Sequence, residues 1–428
     1  MPFNSVLILT FSLLLIIINL PLNQVNTSKI IPFERIEHKS VIENASIRVS
    51  DQQPKKPIII IPGFGGSKIE AKLNHFHSKH WFCSSNKDWY LLWISLDDFL
   101  PIISECSIDY FTLFWNGNHV ENKRGAEFRV VPSIDGIVYL EPTFHFENYF
   151  LKMVDGFKSI GYQENFDLFG APYDFRLSPR NLTQYFHDLT GLIEYTYGMK
   201  NERVTLICHS MGCKLSIYFL SKKSQKWKDK HIEQLITIAP AFSGAFEGLR
   251  SLLFGNNFGD DFMTDRSFRS LIVSCPGIYF DLPSNTILWP DPLVISDTKD
   301  YYSTKDDYLG LFYDLEFPQE STQILKSIWN DVIILEAPKV KTRIFFGYGT
   351  NTRAQVVFKG DLTKRNYYYI NKDGDGVLSK ELILQFCKAW TDNSENSCQG
   401  FPGIKHQELV SNEYVIKNII ELITKKEL

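Results

Sequence analysis

The stretch VTLICHSMGCKLSIYFL, residues 204–220, decides the reading of this chain. Val204 to Cys208 is an unbroken, partly β-branched apolar run, the pattern of a strand buried on both faces. Lys214 to Leu220 continues as a helix. Between them His209-Ser210-Met211-Gly212 leaves room for one sharp turn. Strand, tight turn with a serine, then helix is the context of a nucleophile elbow. The turn pushes the Ser210 hydroxyl out of the sheet edge, and the helix N-terminus aims amides at a developing oxyanion. Small residues must flank such a serine. Gly212 fits, whereas Cys208 stands where glycine is usual. The plain alternative is a serine that caps an ordinary buried helix.

A second buried run ends in glycines: PIIIIPGFGGSKIEA, residues 57–71. In elbow enzymes a loop after an early strand supplies the second oxyanion amide. Phe64, just after Pro62-Gly63, is the candidate donor there, with Met211 after the serine. A dinucleotide loop is the competing reading, but the GxGxxG spacing is absent.

A serine at neutral pH needs a base. Elbow hydrolases use the order serine, acid, histidine. After Ser210 the chain has two histidines. His231 lies in the charged run KWKDKHIEQ and reads as a solvated face. His406, in PGIKHQELV, precedes an apolar-periodic C-terminal helix, where a catalytic imidazole belongs.

The acid must lie between them. NKDGDGVLSKEL, residues 371–382, resembles a calcium loop, but position 12 is Leu382 and Glu381 falls one residue short of the bidentate ligand. Tyr367 to Ile370 before it reads as a strand rather than an entering helix. A Gly-rich surface turn is the plain alternative. A carboxylate just past a late strand can instead hold the tautomer of a histidine. Asp373 and Asp375 both qualify, and the residues alone do not choose between them. No metal ligand set and no cofactor are expected.

The 428 residues, 44% hydrophobic and 14% aromatic, suffice for a large core. The net charge of −4, with scattered basic residues, argues against a nucleic-acid partner. Residues 1–22 contain the apolar run Val6 to Ile18, too short to span a bilayer and suited to a signal-peptide core, with a retained anchor as the alternative because no basic n-region or clear cleavage site is present. Residues 23–54 read as a linker. Sequons at Asn26, Asn44 and Asn181 add modest support for secretion as a glycoprotein. The terminal Lys425-Lys426-Glu427-Leu428 is a weak match to a luminal retention tail. Of seven cysteines, Cys83 with Cys106 and Cys387 with Cys398 are plausible local pairs in an oxidising compartment.

Five blocks, in order, carry a family resemblance from about Pro57 onward. They are IIIIPGFGGSKIEAKL, WFCSSNKDWYLLWISLDDFLP with its following cysteine, APYDFR, CHSMGC, and KDGDGVL with GIKHQELV. The chain resembles the lecithin:cholesterol acyltransferase and lysosomal phospholipase family. The resemblance implies an α/β fold, the α/β-hydrolase sheet with helices on both faces. Its core would run over 55–220 and 341–428, with a membrane-binding excursion at 74–115 and a cap and lid region at 221–340. It implies Ser210 as nucleophile, Asp375 as acid and His406 as base, with Phe64 and Met211 giving the oxyanion amides. It also implies a Cys83–Cys106 disulfide closing the excursion, a mobile lid near 245–275 and a free Cys213. Three departures stand out: Phe64 replaces an acid of the lysosomal relative, APYDFR replaces APYDWR, and no cysteine lies near TRIFFGYG.

Trp81, Phe82, Trp89, Tyr90, Leu91, Leu92, Trp93, Phe99 and Leu100 crowd one stretch. Trp and Tyr favour the headgroup boundary, so Trp89 and Trp93 are candidate membrane- or substrate-binding residues. Packing of the excursion onto the core is the alternative. The function expected is a phospholipid acyl hydrolase or acyltransferase, secreted or in a secretory or vacuolar lumen, associated peripherally with a phospholipid or lipoprotein-like surface. A soluble esterase or neutral lipase, and a non-enzymatic lipid- or calcium-binding protein on a hydrolase scaffold, are the alternatives.

Overall fold

Ile58–Ile61 (β1) is buried at every position, and its side chains alternate between two separate apolar clusters. Five more strands share its sheet: Leu168–Gly170 (β2), Val204–His209 (β3), Ile232–Ile238 (β4), Thr342–Tyr348 (β5) and Ser397–Pro402 (β6). The order is β6-β5-β4-β3-β1-β2 and every pairing is parallel. A parallel sheet needs crossovers, and here they place helices on both faces. On one face Ile58, Ile60, Ile207 and Ile236 pack with helices Leu151–Ser159 (α1) and Glu413–Thr424 (α4). On the other, Ile59, Ile61, Leu206 and Leu235 meet helices Thr183–Lys200 (α2) and Met211–Ser221 (α3). Strands covered on both sides must be continuously apolar, which is why β1, β3 and β4 read as plain hydrophobic runs. This is the α/β-hydrolase architecture that the elbow predicts.

The computed structural model describes residues 55–95, 97–100, 103–139, 148–256, 267–333, 336–360, 362, 366–390 and 395–424. The expected signal segment, the linker, the sequons at Asn26 and Asn44, the C-terminal tail and residues 257–266 of the expected lid lie outside the described residues. No described helix is long and apolar enough to cross a membrane.

Two insertions depart from the sheet. After β1, strands Ile69–Leu73, Lys87–Trp93 and Ala126–Val130 form a three-stranded antiparallel sheet, with helix Ile103–Phe111 beside it. The insertion therefore runs from 69 to 130, wider than the 74–115 read from the sequence. The Cys83–Cys106 disulfide closes it. Between β4 and β5 lie helices Phe246–Phe254, Arg269–Ser274, Pro276–Phe280, Lys305–Asp314 and Gln319–Val332. The stretch 221–340, expected as cap and lid, thus begins with a strand of the central sheet: Ile232–Ile238 is wholly buried between β3 and β5.

Candidate active site

β3 ends at His209, and Ser210 takes φ 53°, ψ −129° before α3 starts at Met211. A non-glycine residue at this angle is strained, by roughly 1–3 kcal/mol. The surroundings hold it there. The Ser210 amide donates to Ile238 O at 3.0 Å on the neighbouring strand. A Cβ on Gly212 would lie 2.1 Å from Pro62 O, so only glycine lets α3 approach the loop after β1 this closely. The serine is thereby fixed at the carboxyl edge of the sheet, the usual place for chemistry in open α/β sheets.

The other two edge residues converge on it. His406 follows β6, and its Nε2 lies 2.9 Å from Ser210 Oγ. Its Nδ1 lies 2.9 Å from Asp375 Oδ2. A carboxylate oxygen accepts, so the Nδ1–H donates to Asp375 and the bare Nε2 accepts the serine proton. The His406 amide also donates to Asp375 O at 2.9 Å, which ties the two loops together by backbone as well. Asp375 is 1% exposed, and its Oδ1 accepts from the amides of Val377 (2.9 Å) and Leu378 (2.7 Å).

Asp373 sits elsewhere. The strand expected to stop at Ile370 runs on through Tyr367–Gly374, with Asp373 paired opposite Asn351. Its exposed carboxylate accepts from Gly349 N at 2.5 Å and faces Lys380 at 3.6 Å. The turn begins only at Asp375, so the stretch 371–374 is sheet and not a surface loop. His231, expected on a solvated face, is instead buried, with Nδ1 2.9 Å from Trp227 O. It reaches none of these groups.

Phe64 follows Gly63, whose Cβ position would lie 2.8 Å from Ser210 Cβ, so the loop after β1 passes directly against Ser210. The Met211 amide is the first of α3, where no intrahelical acceptor exists.

The aromatic stretch divides. Trp93 is 2% exposed, stacks on Phe111 at 5.7 Å and donates from Nε1 to Gly65 O at 2.8 Å. It cannot face a bilayer, and instead it braces the loop that carries Phe64. Trp89 is half-buried beneath the Arg129 guanidinium, 4.3 Å from its ring centre. Among the described side chains of the stretch, the exposed aromatics are Trp81, 94% exposed, and Phe82, next to the Cys83 bridge. The block APYDFR clips this insertion to the core. Arg176 is buried between the Phe111 and Phe128 rings, 4.2 Å from each, paired with Asp174 at 2.6 Å and donating to Phe111 O at 2.9 Å.

Sequence reasoning missed two buried features around the elbow. Lys214, one turn after Ser210, has no exposure and donates to Phe280 O at 2.6 Å. The adjacent Asp281 carboxyl is buried, and its Oδ1 has no hydrogen-bond partner among the described residues. Burial pushes Asp281 up from the usual carboxylate range, against the pull of Lys214 and His406, and pushes Lys214 down against the pull of Asp281. The second feature is His209 itself, held well below the ordinary histidine range by burial first and by the His406 charge second. Its only signal in the sequence was adjacency to the serine.

Cysteine pairing also differs from the resemblance. Cys213, expected free, is bridged to Cys208 across the elbow, with Cα atoms 4.9 Å apart. Cys387 pairs with Cys398, and the buried Cys275 is free.

Three comparisons bear on this site. The family model for lecithin:cholesterol acyltransferase matches residues 89–337. Over 369 residues the chain is 31% identical to rat lysosomal phospholipase A and acyltransferase, covering 84% of this chain and 88% of the relative. It is 27% identical over 377 residues to rat phosphatidylcholine-sterol acyltransferase, covering 85% and 84%. Among solved structures, the Tle4–Tli4 complex aligns with 88% of this chain and 100% of its own, with a TM-score of 0.51 and 12% identity, a likeness of fold alone.

Proposed function

Because the chain belongs to the lecithin:cholesterol acyltransferase family, we propose that it is a serine phospholipase and acyltransferase worked by Ser210, His406 and Asp375. The observation that carries this reading is the hydrogen-bonded line from Asp375 through His406 to Ser210.

Ser210 Oγ attacks the ester carbonyl of a phospholipid while its proton passes to His406 Nε2. Asp375 stabilises the imidazolium that forms. The tetrahedral oxyanion is received by the amides of Phe64 and Met211, and losing one such donor costs on the order of 100- to 1,000-fold in rate. Collapse returns the proton from Nε2 to the departing alkoxide, releases a lysophospholipid and leaves Ser210 acylated. An incoming hydroxyl, from water or a lipid alcohol, gives its proton to Nε2 and attacks the acyl carbonyl. Collapse breaks the bond to Ser210 Oγ, which takes the proton back from Nε2, and frees a fatty acid or a new ester. The named activities of the relatives support phospholipid as acyl donor.

The insertion at 69–130 is the surface-binding part of this reading. Trp81 and Phe82 project from it, and a protein that draws lipid from a bilayer needs exposed apolar surface. The helices between β4 and β5 form its cap. Three disulfides suit an oxidising compartment, so the protein acts outside the cell or in a secretory or vacuolar lumen, peripheral to its lipid.

The test uses purified protein, vesicles of acyl-labelled phosphatidylcholine, and a long-chain alcohol present or absent. Labelled fatty acid without the alcohol and labelled ester with it are expected, and both vanish in Ser210→Ala. Turnover of short soluble esters with no product from vesicles would point to a soluble esterase instead.

A further inference from the structure

Three loops must stay in register for this chemistry: the one after β1 with Phe64, the elbow, and the one carrying His406. One buried side chain from outside all three touches the first two directly. Tyr149, just before α1, accepts at its hydroxyl oxygen from the Gly63 amide at 3.0 Å. The same hydroxyl is hydrogen-bonded to His209 Nδ1. His209 Nε2 in turn lies 3.1 Å from His406 O.

The proton positions in this line follow from its ends. A carbonyl oxygen only accepts, so His209 Nε2 carries a hydrogen. Burial keeps the ring neutral, so Nδ1 is bare and accepts. Tyr149 therefore donates its O–H to His209 and takes the Gly63 N–H on a lone pair. Each donor has its acceptor, and the line runs one way, from Gly63 through Tyr149 and His209 to His406 O.

The packing is built around the ring. A Cβ on Gly66 would lie 2.5 Å from Tyr149 Cε1, and one on Gly63 would lie 3.3 Å from His209 Nδ1. The glycines of PGFGG thus do two things: they let the loop pass Ser210, and they admit Tyr149 behind it. The Tyr149 ring also packs on His209, with centroids 5.4 Å apart, and His209 on His406 at 4.8 Å.

We propose that Tyr149 is a positioning residue that, through His209, holds the Phe64 loop and the His406 loop at a fixed separation across Ser210. This rests on the assignment of Ser210 and His406 as nucleophile and base. Tyr149 touches no reacting atom. Its hydroxyl sets where the oxyanion amide and the imidazole stand relative to each other, and a displacement of about 1 Å in such a group costs on the order of 100-fold in rate.

The test is Tyr149→Phe, which keeps the ring and removes the hydroxyl. The rate of p-nitrophenyl butyrate hydrolysis is measured per active site titrated with a fluorophosphonate, so any loss of folded protein drops out. The expected result is a fall in kcat of about 10- to 100-fold with KM changed by less than about twofold. His209→Gln, which can still donate to His406 O but offers Tyr149 no ring nitrogen, should lose a similar factor. The double variant should lose no more than the larger single loss, because one line is broken either way. Wild-type kcat in Tyr149→Phe, or losses that multiply in the double variant, would overturn the proposal while labelled Ser210 still stood. Wild-type protein that is folded and not labelled at Ser210 would overturn the nucleophile assignment and this proposal with it.

Discussion

His406 Nδ1 stands 2.9 Å from Asp375 Oδ2, while the other oxygen of that carboxylate is held by the Val377 and Leu378 amides. The carboxylate is therefore fixed by its own turn before the imidazole arrives. An asparagine at 375 keeps the shape but can offer an amide N–H to Nδ1. That forces the proton onto Nε2, which can then no longer accept from Ser210. Asp375→Asn is expected to lower kcat on the order of 1,000- to 10,000-fold with KM little changed. Asp373→Asn, whose carboxylate is exposed and bonded to Gly349, should stay within about twofold of wild type. Steady-state kinetics on a soluble ester checks both, and equal losses in the two variants would refute the assignment.

Trp81 and Trp93 separate binding from turnover. Trp81 is almost fully exposed beside the Cys83 bridge, whereas Trp93 is buried and holds Gly65 O. Trp81→Ala should weaken sedimentation with phosphatidylcholine vesicles about 10- to 150-fold, the scale of losing roughly 1.5–3 kcal/mol of apolar contact, and leave soluble-ester turnover intact. Trp93→Phe should do the reverse: its lost indole N–H loosens the Phe64 loop, so soluble-ester kcat falls while vesicle binding holds. Vesicle binding that survives Trp81→Ala together with Phe82→Ala would remove this face as the contact.

Lys214 and Asp281 are both buried, and the charge of each acts on the other through the apolar interior. Removing one partner leaves the other buried group without its compensating charge, whereas replacing both by apolar residues of similar size is often neutral or stabilising. Asp281→Asn is thus expected to lower the urea midpoint strongly. Lys214→Met combined with Asp281→Leu should restore it to wild type or above. A double variant less stable than Asp281→Asn alone would show that the pair holds the elbow helix in place in a way apolar packing cannot replace.

The sharp turn at Ser210 and the convergence of His406 on it were legible because each left a pattern in the chain. Val204–Cys208 is apolar at every position because both its faces are covered, and only His406 of the two later histidines precedes a periodic helix. The choice between Asp373 and Asp375 was not legible. It depends on where the strand Tyr367–Gly374 stops, and that is set by its pairing with Thr350–Phe358, a tertiary fact. Trp93 was misplaced for a related reason. Trp89 and Trp93 have the same parity along one strand, so a period of two assigns them one face. The register between this strand and its partner shifts at Ile69/Glu70, where Trp93 pairs with Ile69 in the core. His231 was misread from its charged neighbours, yet Lys228 beside it is also buried and donates to Pro338 O at 2.8 Å. Charge in a sequence predicts exposure only when no carbonyl waits inside.

His209 also makes stability depend on pH, with a definite sign. Burial holds its folded-state proton affinity well below that of an ordinary histidine, which titrates near 6.5. Above that value neither the folded nor the unfolded chain protonates it, and its contribution is fully present. Below it the unfolded chain takes up a proton that the folded one refuses, so stability is lost as pH falls toward the folded-state value. The slope for one such group is at most about 1.4 kcal/mol per pH unit. Other groups titrate in the same window, so the informative quantity is the difference between wild type and His209→Gln, measured by urea unfolding at pH 7.5, 6.5, 5.5 and 5. The wild-type curve should fall away from the variant's below pH 6.5 and run parallel to it above. Curves parallel throughout would mean that the folded protein takes up this proton as readily as the unfolded chain, so that below pH 6.5 Nδ1 would carry a hydrogen and could not accept from Tyr149.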